Sequence, residues 1–243
     1  MSNARTAKSA REKAAQLRLE AERQTARKRA LIAGGLVLLV IALAVVVVIF
    51  VRSLPTHSAT PRNLTDGGIL DGAKDAKVTV EVYEDFQCPI CKEFEQSTGS
   101  TLTDLAKDPK VRVIYRPVAI LDRASSTNYS TRSLNAMAAV LDSAPSAVDK
   151  MRASLFANQP AEGSAGLPDT QLVDLAVTAG APKDAVEKAV KEQPYRDWTV
   201  KQSDDLSKRF PNGGTPTVVV NGAKLDNPTV DTIKAAVTKA EAS

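Results

Sequence analysis

Two cysteines, Cys88 and Cys91, are the only ones in the chain, and Pro89 and Ile90 separate them. Thiols at that spacing bind a metal, close a small structural loop, or cycle between dithiol and disulfide. A tetrahedral zinc site needs four good ligands. No further cysteine exists, and the one histidine, His57, lies in a Pro/Ser/Thr-rich stretch. No metal site is therefore expected, and His57 leaves little room for Ser-His-Asp or Cys-His catalysis. A bridge across two residues closes too small a loop to stabilise much, because the entropic gain grows with loop length. Exchange chemistry is favoured over that bridge, and it requires one sulfur to be a thiolate near neutral pH.

The elements around the pair supply that condition. Lys77-Val78-Thr79-Val80-Glu81-Val82-Tyr83 alternates in β-formers and reads as a strand. After the segment Glu84-Asp85-Phe86-Gln87-Cys88-Pro89-Ile90-Cys91, helix-forming residues resume, and Pro89 suits a first helical turn. A strand-to-helix junction puts Cys88 at a helix N-terminus, where unpaired N–H groups and the positive end of the dipole favour the thiolate. The helix is expected to reach about residue 107 with a kink at Gly99.

A short edge strand is expected at 68–70, a turn at 71–75 and a second main strand at 111–118. From about 122 to 210 no strand pattern appears. Helical stretches are predicted at 133–143, 147–157, 169–178, 183–192 and about 195–208, with Pro145, Pro168 and Pro182 at or near their starts. Trp198, inside this block, reads as core. Gly214-Thr215-Pro216-Thr217 then leads into Val218-Val219-Val220, Asn221-Gly222 and Ala223-Lys224-Leu225, a hairpin signal. A proline opening a strand invites a cis bond or an edge position. Asn227-Pro228-Thr229 introduces a final helix.

Taken together, the Asp85-Phe86-Gln87-Cys88-Pro89-Ile90-Cys91 segment, the helical block, the Gly-Thr-Pro before a hairpin and the terminal helix resemble the DsbA-like branch of the thioredoxin superfamily, in its membrane-anchored bacterial form. The resemblance covers about residues 67–243. It implies an α/β thioredoxin fold with a helical insertion, about 122–210, between a βαβ half and a ββα half. By the same resemblance, Cys88 would be the exposed attacking sulfur and Cys91 the less exposed resolving one. Pro89 and Ile90 would tune the redox potential. Pro216 would be a cis-proline facing the pair, and Thr215 would offer its backbone to a substrate strand. No cofactor is implied. Two positions depart from the pattern. Strongly oxidising members carry His where this chain has Ile90, so Cys88 is expected to be less acidic here. The buried carboxylate six residues before the first cysteine is replaced by Val82, leaving Glu84 or Asp85 as candidates for proton transfer, against the plainer reading of both as solvated loop charges.

Charge and hydropathy set the location. Residues 1–30 carry nine Lys/Arg against three Glu, whereas the other 213 residues carry 23 basic and 25 acidic side chains. The basic excess belongs to an N-terminal arm, and the rest of the chain has no electrostatic reason to bind nucleic acid. Residues 31–51 contain no charged side chain, and 21 residues at about 1.5 Å each span a hydrocarbon core of about 30 Å. The expectation is an uncleaved single-pass anchor with a cytoplasmic N-terminus, favoured over a signal peptide because the apolar run is long and the residues after it make a poor cleavage site. Residues 52–66 read as an unfolded linker.

The expected function is a membrane-tethered extracytoplasmic thiol:disulfide oxidoreductase, an oxidase acting on reduced or misoxidised exported proteins. A membrane partner of the DsbB or vitamin-K-epoxide-reductase type would reoxidise it. An isomerase or reductase of the same fold is the near alternative. A non-catalytic peptide-binding or chaperone-like module with a structural Cys pair is the distant one, and a role residing in the basic arm and anchor a third.

Overall fold

The computed structural model describes residues 34–35, 39–51 and 57–242. The chain divides into two units, residues 1–54 and 55–243. In the first, residues 39–51 are helical, with large apolar side chains such as Leu39, Val46 and Ile49 exposed. Residues 34–35 are helical too, and residues 1–33 and 36–38 of the expected basic arm and anchor lie outside the described residues. Among the described residues no helix is long and apolar enough to cross a membrane, so the transmembrane helix expected over 31–51 is not found as such.

The second unit is built on a five-stranded sheet. Its elements are β1 (Ile69–Gly72), β2 (Val78–Glu84), α1 (Pro89–Ala106), β3 (Val111–Pro117), α2 (Tyr129–Ser143), α3 (Val148–Ala157), α4 (Asp169–Ala179), α5 (Lys183–Glu192), α6 (Arg196–Arg209), β4 (Thr217–Val220), β5 (Ala223–Lys224) and α7 (Val230–Glu241). The strand order is β1-β3-β2-β4-β5; β2 and β3 run parallel, and every other pairing is antiparallel. Val80 pairs with Val113 on one side and Val220 on the other. That register aligns the even-numbered valines of β2 on one face, within the large core that also holds Phe94 and Leu102 of α1 and Ile233 of α7. Tyr83 and Val219 point to the opposite face, where Leu206 of α6 covers them. Covering on both faces explains why β2 is buried along nearly its whole length rather than alternating.

The five helices α2–α6 lie in sequence between β3 and β4, forming the helical insertion. Their hub is α2, which is buried from Tyr129 through Leu141. It begins one turn earlier than the periodicity predicts. That first turn is polar by composition, and tertiary hydrogen bonds satisfy it: Ser130 donates to Asp85 at 2.6 Å and the Thr131 amide donates to Asp122 at 3.1 Å. Asn221 and Gly222 both take positive φ, 43° and 85°, as a two-residue hairpin turn of the mirror-image type requires.

Helix α1 is continuous through Gly99, where a Cβ would come within 2.8 Å of the Glu95 carboxylate. One further expectation is corrected. The second half of the expected linker is packed against the insertion. The His57 carbonyl accepts from the Asp197 amide and the Ala59 amide donates to Pro194, both at 2.9 Å, and the Asn63 side chain donates to the Leu141 carbonyl at 2.9 Å.

Candidate active site

Cys88 is the N-cap residue of α1 and Pro89 opens the helix, so the cysteine side chain sits at the amide-rich end of the α1 axis. Its carbonyl accepts the first two helical amides, from Cys91 at 3.1 Å and Lys92 at 3.2 Å. The pair stands as free thiols. Cys91 is one turn along and fully enclosed, with 1 % of its surface exposed. Cys88, expected to be exposed, retains only 7 %. The cover comes in part from the far end of the chain: the Cys88 sulfur lies 3.3 Å from the Thr215 carbonyl oxygen across 127 residues of sequence. The peptide that follows, Thr215–Pro216, is cis. Thr217 closes this loop by donating its hydroxyl to the Gly214 carbonyl at 2.7 Å. Ile90 is 61 % exposed and has no part in the core.

The two sulfurs occupy opposite electrostatic positions. The Cys91 thiol acts as a donor to the Cys88 sulfur. With help from the Thr215 side chain and the Cys91 and Ile90 amides, it outweighs burial and brings Cys88 from an ordinary 9.0 down to about 6. Burial, reinforced by the neighbouring Cys88 thiolate, pushes Cys91 well up. One sulfur is thus an anion at neutral pH and the other a thiol, which is what attack by one and later resolution by the other requires. The expected penalty for having Ile rather than His at position 90 is met in part by these local donors.

Glu84 and Asp85 are not solvated loop charges; 1 % and 0 % of their surfaces are exposed. The reason is that the insertion folds over the end of β2. Glu84 receives a two-pronged ion pair from Arg152 of α3, at 2.7 and 2.6 Å, and the guanidinium lies 3.9 Å from the centre of the Tyr115 ring. Arg152 also reaches Glu95 at 2.7 Å. Burial pushes the Glu84 carboxyl up despite its partner. Asp85 accepts from the Gln87 amide at 2.9 Å, the Leu121 amide at 3.0 Å and the Ser130 hydroxyl. Burial outweighs these donors and raises Asp85 to about 6, and the Asp85 backbone also contacts the Cys91 sulfur. The Asp85 carboxyl therefore titrates close to neutrality, whereas Glu84 is tied to a cation.

Ser130, Arg152 and Gln159 of this neighbourhood went unnoticed in the sequence, and Gln87 was read only as part of the motif, without a partner. Each is an ordinary polar residue in a helix or loop, and only the three-dimensional return of the insertion gives it a partner. Arg152 carried the one usable signal, a cation on the same helix as Met151, Leu155 and Phe156, all of them buried. Alongside Pro216 a groove of about 480 Å³ runs between α1 and the β4–β5 hairpin, with Ile90, Phe94, Leu225 and Pro228 among its walls.

The thioredoxin family model matches residues 64–239, more than two-thirds of the chain. The chain belongs to the thioredoxin family, as a DsbA-like member. Among solved structures, reduced DsbA of Mycobacterium tuberculosis is 30% identical with a TM-score of 0.61, covering 73% of this chain and 93% of that one. Reduced DsbG, a disulfide bond oxidoreductase of the same organism, is 29% identical with a TM-score of 0.63, covering 74% and 90%. Oxidised BdbD of Bacillus subtilis, at 22% identity, has a TM-score of 0.65 over 76% of this chain and 98% of that one, and speaks for the fold alone. The serine/threonine-protein kinase PknE of M. tuberculosis is 31% identical over 133 residues, which are 53% of this chain but 24% of the kinase. The fold of this DsbA-like protein is that of thiol–disulfide oxidoreductases.

Proposed function

We propose that this DsbA-like chain is a membrane-tethered thiol:disulfide oxidoreductase that donates the Cys88–Cys91 disulfide to exported proteins. The observation that carries the reading is the meeting of Cys88, at the α1 N-terminus, with the loop of Thr215 and cis-Pro216, 127 residues away. Proximity of that kind is what a mixed disulfide needs: one sulfur within reach of a bound chain, the other one turn behind it.

In the oxidising direction a substrate thiolate attacks the Cys88 sulfur of the disulfide. The 88–91 bond breaks, a bond between substrate and Cys88 forms, and the electron pair leaves on Cys91. Cys91 holds a proton readily, and Asp85, which titrates near neutrality, would supply it. A second substrate thiolate then attacks the substrate sulfur of the mixed disulfide and expels Cys88, a good leaving group because it is stable as a thiolate. The substrate leaves oxidised and the chain leaves as the dithiol. Backbone pairing beside Thr215 and Pro216 would hold a substrate strand with little regard to its sequence. The groove walled by Ile90, Phe94, Leu225 and Pro228 offers apolar contact to side chains of an unfolded polypeptide.

The 21-residue apolar run at 31–51 and the basic residues before it support an anchor that leaves residues 67–243 outside the reducing cytoplasm, where a disulfide persists. A membrane-embedded partner of the DsbB or vitamin-K-epoxide-reductase type would then return the dithiol to the disulfide. The lowered titration of Cys88 favours the reduced form and hence disulfide donation over reduction.

The test is refolding of a reduced, disulfide-containing substrate by the full chain. Catalysis by the parent and its loss in Cys88→Ser support the proposal, and unchanged refolding in Cys88→Ser refutes it. A potential near about −270 mV, rather than nearer −120 mV, would move the assignment to a reductase.

A further inference from the structure

Residues 86–88 and 156–164 are locked together by two glutamines that point in opposite directions. Gln159, in the loop after α3, donates its side-chain amide to the Cys88 carbonyl at 2.9 Å and to the Phe86 carbonyl at 3.2 Å. Gln87, with none of its surface exposed, donates in return to the Ser164 carbonyl at 3.2 Å and the Ala161 carbonyl at 3.3 Å. The Phe86 and Phe156 rings, 5.2 Å apart, close the same junction. The Cys88 carbonyl that Gln159 holds is the one that accepts the amides of Cys91 and Lys92. A donor from the insertion therefore acts on the peptide unit that sets where the Cys88 side chain stands over the first turn of α1.

We propose that Gln159 is a positioning residue of the redox centre, holding the Cys88 peptide unit in the orientation that turns the Cys91 and Ile90 amides toward the Cys88 sulfur. The magnitudes favour positioning over simple stabilisation. Two neutral hydrogen bonds are set against the rotamer entropy lost by fixing one glutamine side chain, so the net effect on folding is small. What the contact does contribute is local, because both acceptors lie in the three residues that end at Cys88. The inference rests on the reading of Cys88 and Cys91 as an exchanging pair.

The experiment uses the full chain with Gln159→Leu, which keeps the shape and removes the donor, and Gln159→Asn, which keeps the donor but cannot reach. Each is equilibrated with glutathione: dithiol chain plus oxidised glutathione gives disulfide chain plus two reduced glutathiones. In both variants the constant for that reaction should rise about three- to tenfold, the equivalent of about one lost hydrogen bond to the thiolate form. The Cys88 titration should move upward, and the melting temperature of the oxidised chain should stay close to that of the parent. An unchanged constant together with equal loss of melting temperature in both redox forms would overturn the proposal, and so would failure of both variants to fold. If the unsubstituted chain forms no disulfide with glutathione, the exchange reading itself falls, and that result is distinct from the other two.

Discussion

The acidity of Cys88 should depend mainly on its partner thiol, and Cys91→Ala tests this. The Cys91 thiol is the largest of the influences that bring Cys88 to about 6. At pH 7 a sulfur titrating there is about nine-tenths ionised, against about one-hundredth for an ordinary thiol at 9.0. That difference favours the reduced form roughly tenfold, about 1.4 kcal/mol or about 30 mV for a two-electron couple. Water at the edge of the sulfur screens part of this, which leaves about 1 kcal/mol. The sign follows from the lowered value: the contribution is complete above 9.0 and lost as pH falls through about 6. The reduced chain should therefore gain stability relative to the oxidised one between pH 5 and 7. In Cys91→Ala the donor is gone, and for each tenfold loss of acidity the alkylation rate of Cys88 at pH 5 should fall about tenfold. Thiolate absorbance and iodoacetamide kinetics across pH 4–10 give the answer. A titration that stays at about 6 in the variant would refute the role assigned to Cys91, and one near 9.0 in the parent would refute the electrostatic account of the site.

Three further predictions concern the surrounding residues. Arg152→Met leaves Glu84 enclosed without its cation and should cost about 3–5 kcal/mol of stability by urea unfolding, less at low pH where Glu84 is protonated and less again in combination with Glu84→Gln. Because burial raises Asp85 from 3.8 to about 6, its contribution is present below 3.8 and lost as pH rises through about 6. It should remove about 3 kcal/mol between those limits, and Asp85→Asn should flatten that slope in unfolding measured at pH 4 and 7. Ile90→His places a cationic donor at an exposed position beside the thiolate, and should lower the Cys88 titration and make the disulfide more oxidising in glutathione equilibria.

Periodicity and punctuation were enough to locate most of the fold. The alternating valines of β2, the Asn-Gly turn at 221–222 and the prolines at 168 and 182 all act through backbone preferences that operate locally, so each is readable where it stands. The cysteine pair was legible for the same reason, and so was the proline at 216. What failed were inferences about environment. Glu84 ends β2 and Asp85 follows it, and nothing local says that α3 and α2 will return to enclose them with Arg152 and Ser130. The burial of Cys88 beneath Thr215, the first turn of α2 and the docking of residues 57–64 also depend on partners 60 or more residues away or on polar side chains satisfied only in the folded state.

The central claim is that Cys88 is the sulfur that joins to the substrate and Cys91 the one that leaves as its bond to Cys88 breaks. Incubating the Cys91→Ser chain with a reduced substrate activated as a glutathione mixed disulfide, then separating the products without reductant, tests this directly. The account predicts a stable covalent adduct through Cys88, and none at comparable rate through Cys91 in the Cys88→Ser chain. Equal trapping by the two variants, or no adduct with either, would contradict it.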